Sequence, residues 1–182
     1  MGPEKYIRER ARKLPLGKCY VSSHFLEEGE ADVIVTRQMA NGNLVVGMYL
    51  VDTYCLGVKD CVYRVDVTPE ELEENLKKYQ CTDEKDYVEI HNLLYGAVEF
   101  AEEAGVPPCR EFASVGKYIL EEDRDDIPLI EYEYGYEGKH HLVVVARRDE
   151  ARWIPVLQKR LGKDFTYVVT DEQQYNDVEE AA

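Results

Sequence analysis

A cysteine, a histidine and two aspartates could supply the side chains of a nucleophilic catalytic site. Asp52, Cys55 and Asp60 stand close together in the sequence, and His91 lies further along the chain. A thiol nucleophile needs a neighbouring base, and the base needs a group that orients it. The sequence therefore permits a small hydrolase of unrecognised type, in which Cys55 is the nucleophile, His91 the base and Asp52 or Asp60 the orienting carboxylate.

The same aspartates also have a structural interpretation. Asp52 is expected at a strand end, on the side of Leu50, where an unpaired carboxylate is costly and needs backbone amides or a cation such as Lys59. Asp52 and Asp60 would then cap a tight turn around Gly57. Under this interpretation the two carboxylates hold the backbone and take no part in a reaction.

Cys55 and His91 fit a protein core as well as they fit a catalytic site. A buried thiol behaves as a small apolar side chain, so Cys55 can fill space between packed elements. His91 shares a helical stripe with Tyr87 and Leu94, which predicts a largely buried ring with one nitrogen hydrogen-bonded. The sequence leaves the catalytic and structural alternatives open.

Three tyrosines form a candidate binding surface. Tyr132, Tyr134 and Tyr136 alternate with Glu131 and Glu133, so a strand would carry aromatic rings on one face and carboxylates on the other. Such a ladder commonly packs over a helix, whereas an open ladder would supply rigid contact area for a partner. We expect these tyrosines to be the partner-binding residues.

The charge of the chain favours a cationic partner. The formal net charge is −15, and its field repels phosphate backbones, so nucleic acid is not expected as a partner. The exception is a basic stretch, residues 1–18, which is predicted to form a helix whose cations face the acidic body. We therefore expect a basic or amphipathic protein segment as the partner.

Cysteine usage and hydropathy indicate a cytosolic protein. The five cysteines include no C-x-x-C pair, so we predict reduced thiols, no disulfide, no structural zinc or other metal site, and no cofactor. No apolar run is long enough for a membrane span, and the first residues lack the apolar core of a signal peptide. We expect a cytoplasmic protein that does not bind membranes.

The elements that position these residues begin with a hairpin. Two runs of strand-forming residues, 31–39 and 44–52, flank Asn41-Gly42, which favours a two-residue type I′ turn. That loop would pair Met39 with Leu44 and bury one face of the hairpin. The residues predicted on the buried face include Val33, Val35, Val46, Met48 and Leu50, with Arg37 as the only charge.

Helices fill the middle of the chain, and strands return near its end. Thr68, Pro69 and Glu71 form a capping box that predicts a helix start. A longer helix is predicted to begin at Thr82 or Asp83. The other predicted elements are a strand over 61–67, a hairpin of 129–134 and 139–147, a helix over 149–161 and a strand over 165–169.

Helices grouped between two sets of hairpin strands are typical of an α+β fold. We predict a single α+β domain over residues 1–170, with antiparallel hairpins and a central group of helices. Residues 171–182 contain five acids and no lysine or arginine. This composition predicts a disordered acidic tail.

Two segments resemble those of a family of uncharacterised bacterial proteins. They are YCLGVKD at residues 54–60 and YGAVEFA at residues 95–101, and the likeness covers most of residues 3–170. No activity is established for such proteins. The resemblance therefore implies a bacterial, intracellular origin and assigns no role to any residue.

Two functions from different classes follow. The chain has no phosphate loop, dinucleotide fingerprint or nucleophile elbow, which favours a non-catalytic cytosolic interaction or adaptor protein that binds a macromolecular partner. The alternative is the small hydrolase built on Cys55, His91 and Asp52. A pocket that brings these groups within hydrogen-bond reach would favour the enzyme, and an exposed tyrosine patch would favour the binding protein.

Overall fold

The main β-sheet has five antiparallel strands, and helices cover both of its faces. The computed structural model describes residues 1–23 and 25–170, so the predicted acidic tail, residues 171–182, lies outside the described part. The strands are β1 (Leu16–Val21), β2 (Glu30–Gln38), β3 (Leu44–Asp52), β4 (Gly57–Val67) and β5 (Asp83–Lys85), in the spatial order β4-β3-β2-β1-β5. The predicted strand over 61–67 is part of β4.

Six α-helices and a second, two-stranded sheet complete the described fold. None of these helices combines the length and the apolar character needed to cross a bilayer. Strands and helices together confirm the predicted α+β class. The helices are α1 (Pro3–Arg10), α2 (Phe25–Glu28), α3 (Pro69–Lys78), α4 (Tyr87–Glu103), α5 (Arg110–Ser114) and α6 (Arg147–Leu161), and the strands of the second sheet are β6 (His141–Val144) and β7 (Thr166–Val169).

Both faces of the main sheet contribute to apolar clusters, although Val62 and Arg64 on the second face of β4 are exposed. The face toward α4 belongs to the largest apolar cluster, which includes Val33, Val35, Tyr49 and Leu94. The opposite face packs against α3, which begins at the predicted capping box of Thr68 and Glu71. The apolar cluster on that face includes Ile34, Val46, Met48 and Leu72.

The first hairpin has the predicted tip, but its predicted register is wrong by one residue. β2 and β3 pair with Gln38 opposite Leu44, whereas a two-residue loop would place Met39 there. A shift of one residue moves the side chains of one strand to the other face of the sheet. Val35 and Met48 therefore lie on opposite faces, and the prediction that they share one buried face is wrong.

The turn itself explains the shift. The Met39 amide donates to the Asn43 carbonyl oxygen at 2.9 Å, and the Gly42 amide donates to the Met39 carbonyl oxygen at 3.1 Å. Gly42 has a φ of 86°, so a type I turn is followed by a left-handed residue in a three-residue loop. An Asn-Gly dipeptide suits this loop and the two-residue type I′ turn alike.

Helix α4 begins later than predicted. It starts at Tyr87 and not at Thr82 or Asp83, because the residues of β5 pair with the edge of β1. A capping box formed by Asp86 and Glu89 sets the observed start. Pairing with a strand distant in sequence thus outweighed the local helix signal at residue 82.

The predicted second hairpin is wrong. Residues 129–134 form no strand, and Tyr136 and Lys139 form only an isolated bridge. β6 pairs with β7 in parallel, with His141 opposite Thr166, and α6 makes the crossover that parallel pairing requires. Residues 129–134 lie instead against α4, where tyrosine hydroxyls bind helix carbonyls.

Truncations at two neighbouring positions of β3 test the register. Tyr49→Ala removes a ring that is 1% exposed and whose hydroxyl donates to the Gly116 carbonyl oxygen at 2.7 Å, so we expect a loss of about 3–5 kcal/mol in the free energy of unfolding. Leu50→Ala changes a half-buried side chain on the other face and should cost below about 2 kcal/mol. Urea unfolding measures both losses. The register of a two-residue loop would instead make Leu50→Ala more costly than Tyr49→Ala.

Candidate functional site

Asp52 caps a backbone turn. Its Oδ1 accepts hydrogen bonds from the amides of Tyr54 (2.9 Å) and Cys55 (3.3 Å), and its Oδ2 accepts one from the Leu56 amide (3.0 Å). Burial raises the pKa of the Asp52 carboxyl, although the Lys59 ammonium and the amide donors act in the opposite direction. Backbone amides thus donate to both carboxylate oxygens of Asp52. This agrees with the interpretation that Asp52 holds the backbone of a turn.

Cys55 and Asp60 do not face a common site. Cys55 is fully buried in an apolar cluster with Ala101 and Leu142, and desolvation raises the pKa of its thiol to about 12, so the thiol is protonated at neutral pH. Asp60 is exposed on β4, where its Oδ1 accepts a hydrogen bond from the Cys61 amide at 2.9 Å. The thiol and the Asp60 carboxylate therefore do not meet in one site.

His91 lies between Tyr87 and Asp123. The Tyr87 hydroxyl is 2.7 Å from Nδ1 of the ring, and Oδ1 of Asp123 is 3.0 Å from Nε2. The His91 side chain is 1% exposed. Cys55 packs beside Ala101, which is about 15 Å further along the helix from His91. The structure therefore does not bring Cys55, His91 and the two aspartates together.

A groove beside α4 contains two of the three candidate tyrosines. It has a volume of about 470 Å³, within the range of ligand sites in proteins. Helix α4 forms one wall, and residues 129–134 form the other. We call it the acidic groove. Its aromatic lining is Tyr95, Phe100, Tyr132 and Tyr134, and its acidic lining is Glu99, Glu103, Asp123 and Glu131.

Tyr132 and Tyr134 attach the second wall to the helix. The Tyr132 hydroxyl donates to the Glu89 carbonyl oxygen at 3.4 Å, and the Tyr134 hydroxyl lies 3.1 Å from the carbonyl oxygens of both Asn92 and Leu93. Both rings are half-buried and turn toward α4, while the glutamates between and before them are exposed. The predicted alternation is therefore present without the predicted strand.

Two small features of α4 let the second wall lie close to it. Asn92 donates from its Nδ2 to the Val88 carbonyl oxygen at 2.7 Å and to the Pro128 carbonyl oxygen at 2.9 Å. Gly96 leaves room for the Tyr134 side chain, because a Cβ at position 96 would overlap the Tyr134 hydroxyl. Helix α4 is thus shaped to receive the tyrosines.

Tyr136 lies away from the acidic groove. It is 46% exposed and packs against Tyr54 and His141, with ring centroids 5.4 Å and 5.1 Å away. The three tyrosines predicted to bind a partner therefore do not form one surface. Tyr132 and Tyr134 line the groove, and Tyr136 does not.

The electrostatic character of the groove is uniformly acidic. Among the described residues that line it, four are carboxylates and none is lysine or arginine. Glu99, Glu103 and Glu131 form no salt bridge with any described residue, and Asp123 pairs only with His91. Four negative charges beside the electron-rich faces of aromatic rings create a site that favours cations.

The sequence indicates Arg37 as a charge on an apolar face and as a candidate partner of Asp52, but its observed partners are different. Its side chain is 1% exposed, and its guanidinium donates to the carbonyl oxygens of Ile119 (2.6 Å) and Leu14 (2.9 Å) and to Oε1 of Glu121 (2.9 Å). The available signal was a single charge in an otherwise apolar stripe. A guanidinium buried there must find hydrogen-bond acceptors.

Arg12, from the basic N-terminal stretch, holds the same part of the chain. Its Nε donates to the Leu120 carbonyl oxygen at 2.9 Å, and its Nη2 donates to the Lys117 carbonyl oxygen at 3.2 Å. Its Nη1 lies 3.2 Å from Oε1 of Glu122. Two arginines thus bind the chain just before it reaches the groove.

A series of hydrogen bonds connects Arg37 to the groove. The Glu121 amide donates to the Tyr87 hydroxyl at 2.7 Å, and that hydroxyl also contacts His91. His91 in turn contacts Asp123, a lining residue of the groove. His91 therefore acts as a structural link between α4 and residues 121–126, which we call the acidic loop.

Comparison with protein-family models, with curated proteins and with solved structures finds no match for this chain. Within residues 1–23 and 25–170, no three His, Cys, Asp or Glu side chains cluster closely enough to hold a metal ion. The acidic groove, with its volume of about 470 Å³ and its four carboxylates, is the feature of the described residues that points to a function.

Removal of one hydroxyl tests the link between α4 and the acidic loop. Tyr87→Phe keeps the ring and leaves the Glu121 amide without its acceptor, so we expect a loss of about 1–3 kcal/mol in the free energy of unfolding. Tyr118→Phe is the matched control, because the Tyr118 hydroxyl has no hydrogen bond to a described residue, and it should cost below about 0.5 kcal/mol. Equal losses in urea unfolding would contradict the structural role of Tyr87.

The buried turn carboxylate predicts a dependence of stability on pH. The folded-state pKa of Asp52 lies above the ordinary value of 3.8. The stabilisation of the folded protein by the protonated Asp52 carboxyl is therefore full below the ordinary pKa and is lost as the pH rises through the folded-state pKa. We expect the native protein to lose stability relative to Asp52→Asn as the pH rises through this window. Urea unfolding across a pH series measures it, and a relative gain by the native protein would show that the pKa is lowered.

Proposed function

We propose that the protein is a non-catalytic interaction protein whose acidic groove binds a basic segment of another protein. The lining of the groove carries this proposal, because four carboxylates and four aromatic rings surround it without a lysine or arginine among the described lining residues. A cationic side chain that enters the groove meets opposite charge at its rim and aromatic faces on its walls.

The arrangement favours arginine over a simple ammonium group. The ring of Tyr134 lies 5.7 Å from that of Phe100, at 25° to it, and both rings line the groove beside Glu99 and Glu103. A planar guanidinium can stack on such rings and donate two hydrogen bonds to a carboxylate at the same time. Lysine can satisfy the charge but not the stacking.

An apolar rim extends the groove and favours an amphipathic segment. Leu129 is 78% exposed at the edge of the groove, and Ile130 lies beside it. An exposed leucine next to an acidic cleft offers an apolar contact in addition to the charge. The proposed partner therefore alternates basic and apolar side chains.

The net charge of the whole molecule supports the same partner. At −15 the long-range field accelerates association with a basic segment, and salt weakens the binding because it screens that field. We place this interaction in the cytosol of a bacterium. The support is the five free cysteines and the resemblance of residues 54–60 and 95–101 to bacterial proteins.

The hydrolase alternative has no observation in its favour among the described residues. The thiol of Cys55 lies in an apolar cluster, and the ring of His91 is held by Tyr87 and Asp123. We therefore base the proposed function on the groove alone.

A labelled peptide tests the proposal. The probe is a fluorescein-labelled peptide of alternating arginine and leucine, and fluorescence anisotropy with the full chain measures its affinity. Glu99→Gln combined with Glu103→Gln removes two carboxylates from the groove and should weaken binding about three- to tenfold at low salt. The effect should shrink as salt is added.

Two controls separate the groove from the general charge of the protein. Glu102→Gln combined with Glu74→Gln changes the net charge equally, at exposed residues outside the groove, and should leave the affinity nearly unchanged. A peptide with citrulline in place of arginine keeps the shape without the charge and should bind weakly. Equal losses in the two double variants would refute the groove as the binding site.

A further inference from the structure

A second cleft lies between the two sheets, away from the acidic groove. It has a volume of about 330 Å³, and its apolar lining includes Leu56 from the turn before β4, Val58 from β4, and Leu142 and Val144 from β6. Pro107 also contributes to the lining. The cleft is therefore a trough with strand residues on both sides.

One edge of β6 faces this cleft without a strand partner. The amides of Thr166 and Thr170 donate to the carbonyl oxygens of His140 (3.0 Å) and Val144 (2.8 Å), so the even-numbered residues of β6 direct their backbone groups toward β7. The odd-numbered residues direct theirs to the opposite edge. His141 donates there to the Tyr54 carbonyl oxygen at 3.0 Å.

Beyond His141 the edge is unpaired. No hydrogen bond joins the Val143 or Val145 amide to the described part of the chain outside β7, and both residues line the cleft. A strand edge with unpaired amides and carbonyls is a template for an added strand. The Val143 side chain is 38% exposed, so the approach to this edge is accessible.

The charge of the cleft is opposite to that of the rest of the molecule. Lys59, Arg110 and Arg152 line it together with one acid, Asp149, and Lys59 is paired with Glu30 at 2.6 Å. Arg110 and Arg152 form no salt bridge with a described residue, and the Arg152 guanidinium lies 4.4 Å from the centre of the Trp153 ring. In a chain with a net charge of −15, these two arginines give the cleft a local positive charge.

We propose that an acidic, extended segment of a partner protein binds this cleft by adding a strand to the free edge of β6. Backbone hydrogen bonds to Val143 and Val145 give the segment its alignment, and Arg110 and Arg152 bind its carboxylates. Side chains alternate along a strand, so apolar residues face Leu56 and Val144 while acidic residues face the arginines.

This site differs from the acidic groove in its ligand and its location. The groove lies along α4 and favours a basic segment, whereas the cleft lies at the edge of β6 and favours an acidic one. Loss of one interaction therefore does not predict loss of the other. A protein with both sites would connect two partners of opposite charge.

A fluorescein-labelled hexapeptide of alternating valine and glutamate is the probe for the cleft. We expect saturable binding to the full chain, and Arg110→Glu and Arg152→Glu should each weaken it at least about fivefold. Arg148→Glu is the matched control, since Arg148 is exposed on α6 and does not line the cleft, and it should have little effect. Equal weakening by all three variants would overturn the site.

Strand addition has a separate readout that a purely ionic contact does not share. Hydrogen exchange of the Val143 and Val145 amides should slow when the hexapeptide is added, and N-methylation of alternate residues along one edge of the hexapeptide should abolish binding. If binding persists both with the peptide N-methylated along one edge and with the peptide N-methylated along the other, strand addition is overturned. Amides that exchange slowly before the peptide is added would show that the edge is already covered.

Discussion

The buried guanidinium of Arg37 is the interaction on which the candidate site depends. A charge removed from water is tolerated only where acceptors surround it, and Arg37 obtains three from distant parts of the chain: Leu14, Ile119 and Glu121. The position of Arg37 on β2, facing α4, thereby determines where the chain must run after α5. Without these acceptors the charge would be unpaired in the largest apolar cluster.

The acidic groove follows from that constraint. Once Glu121 is held, its amide reaches the Tyr87 hydroxyl, and Asp123 reaches His91 on the next turn of α4. The chain then continues beside the helix, where Tyr134 contacts helix carbonyls. A histidine that looked like a candidate base from sequence thus serves to hold one wall of the acidic groove. Glu131 in that wall, and Glu99 and Glu103 on α4, form no salt bridge with a described residue.

Signals within a few residues of one another were predictable from the sequence, and those that depend on distant contacts were not. The capping box at Thr68 is local, and so is the turn at Gly42, but the loop length that sets the register is not specified by the Asn-Gly dipeptide. The alternation that includes Tyr134 was visible. That its ring would pack on α4 depended on the gap at Gly96, which is remote in sequence. The charge of Arg37 was visible, whereas its acceptors were not.

The affinity of an Arg37→Lys variant for the arginine–leucine peptide tests this account most directly. Lysine keeps the positive charge, but one ammonium cannot reach the acceptors that surround a planar guanidinium. Arg37 does not line the groove, so a change in affinity must be transmitted through Glu121 and the chain that follows it. We predict a weakening of at least about tenfold, with hydrogen exchange of the β2 and β3 amides unchanged. Unchanged affinity in a protein whose sheet remains protected would contradict the account.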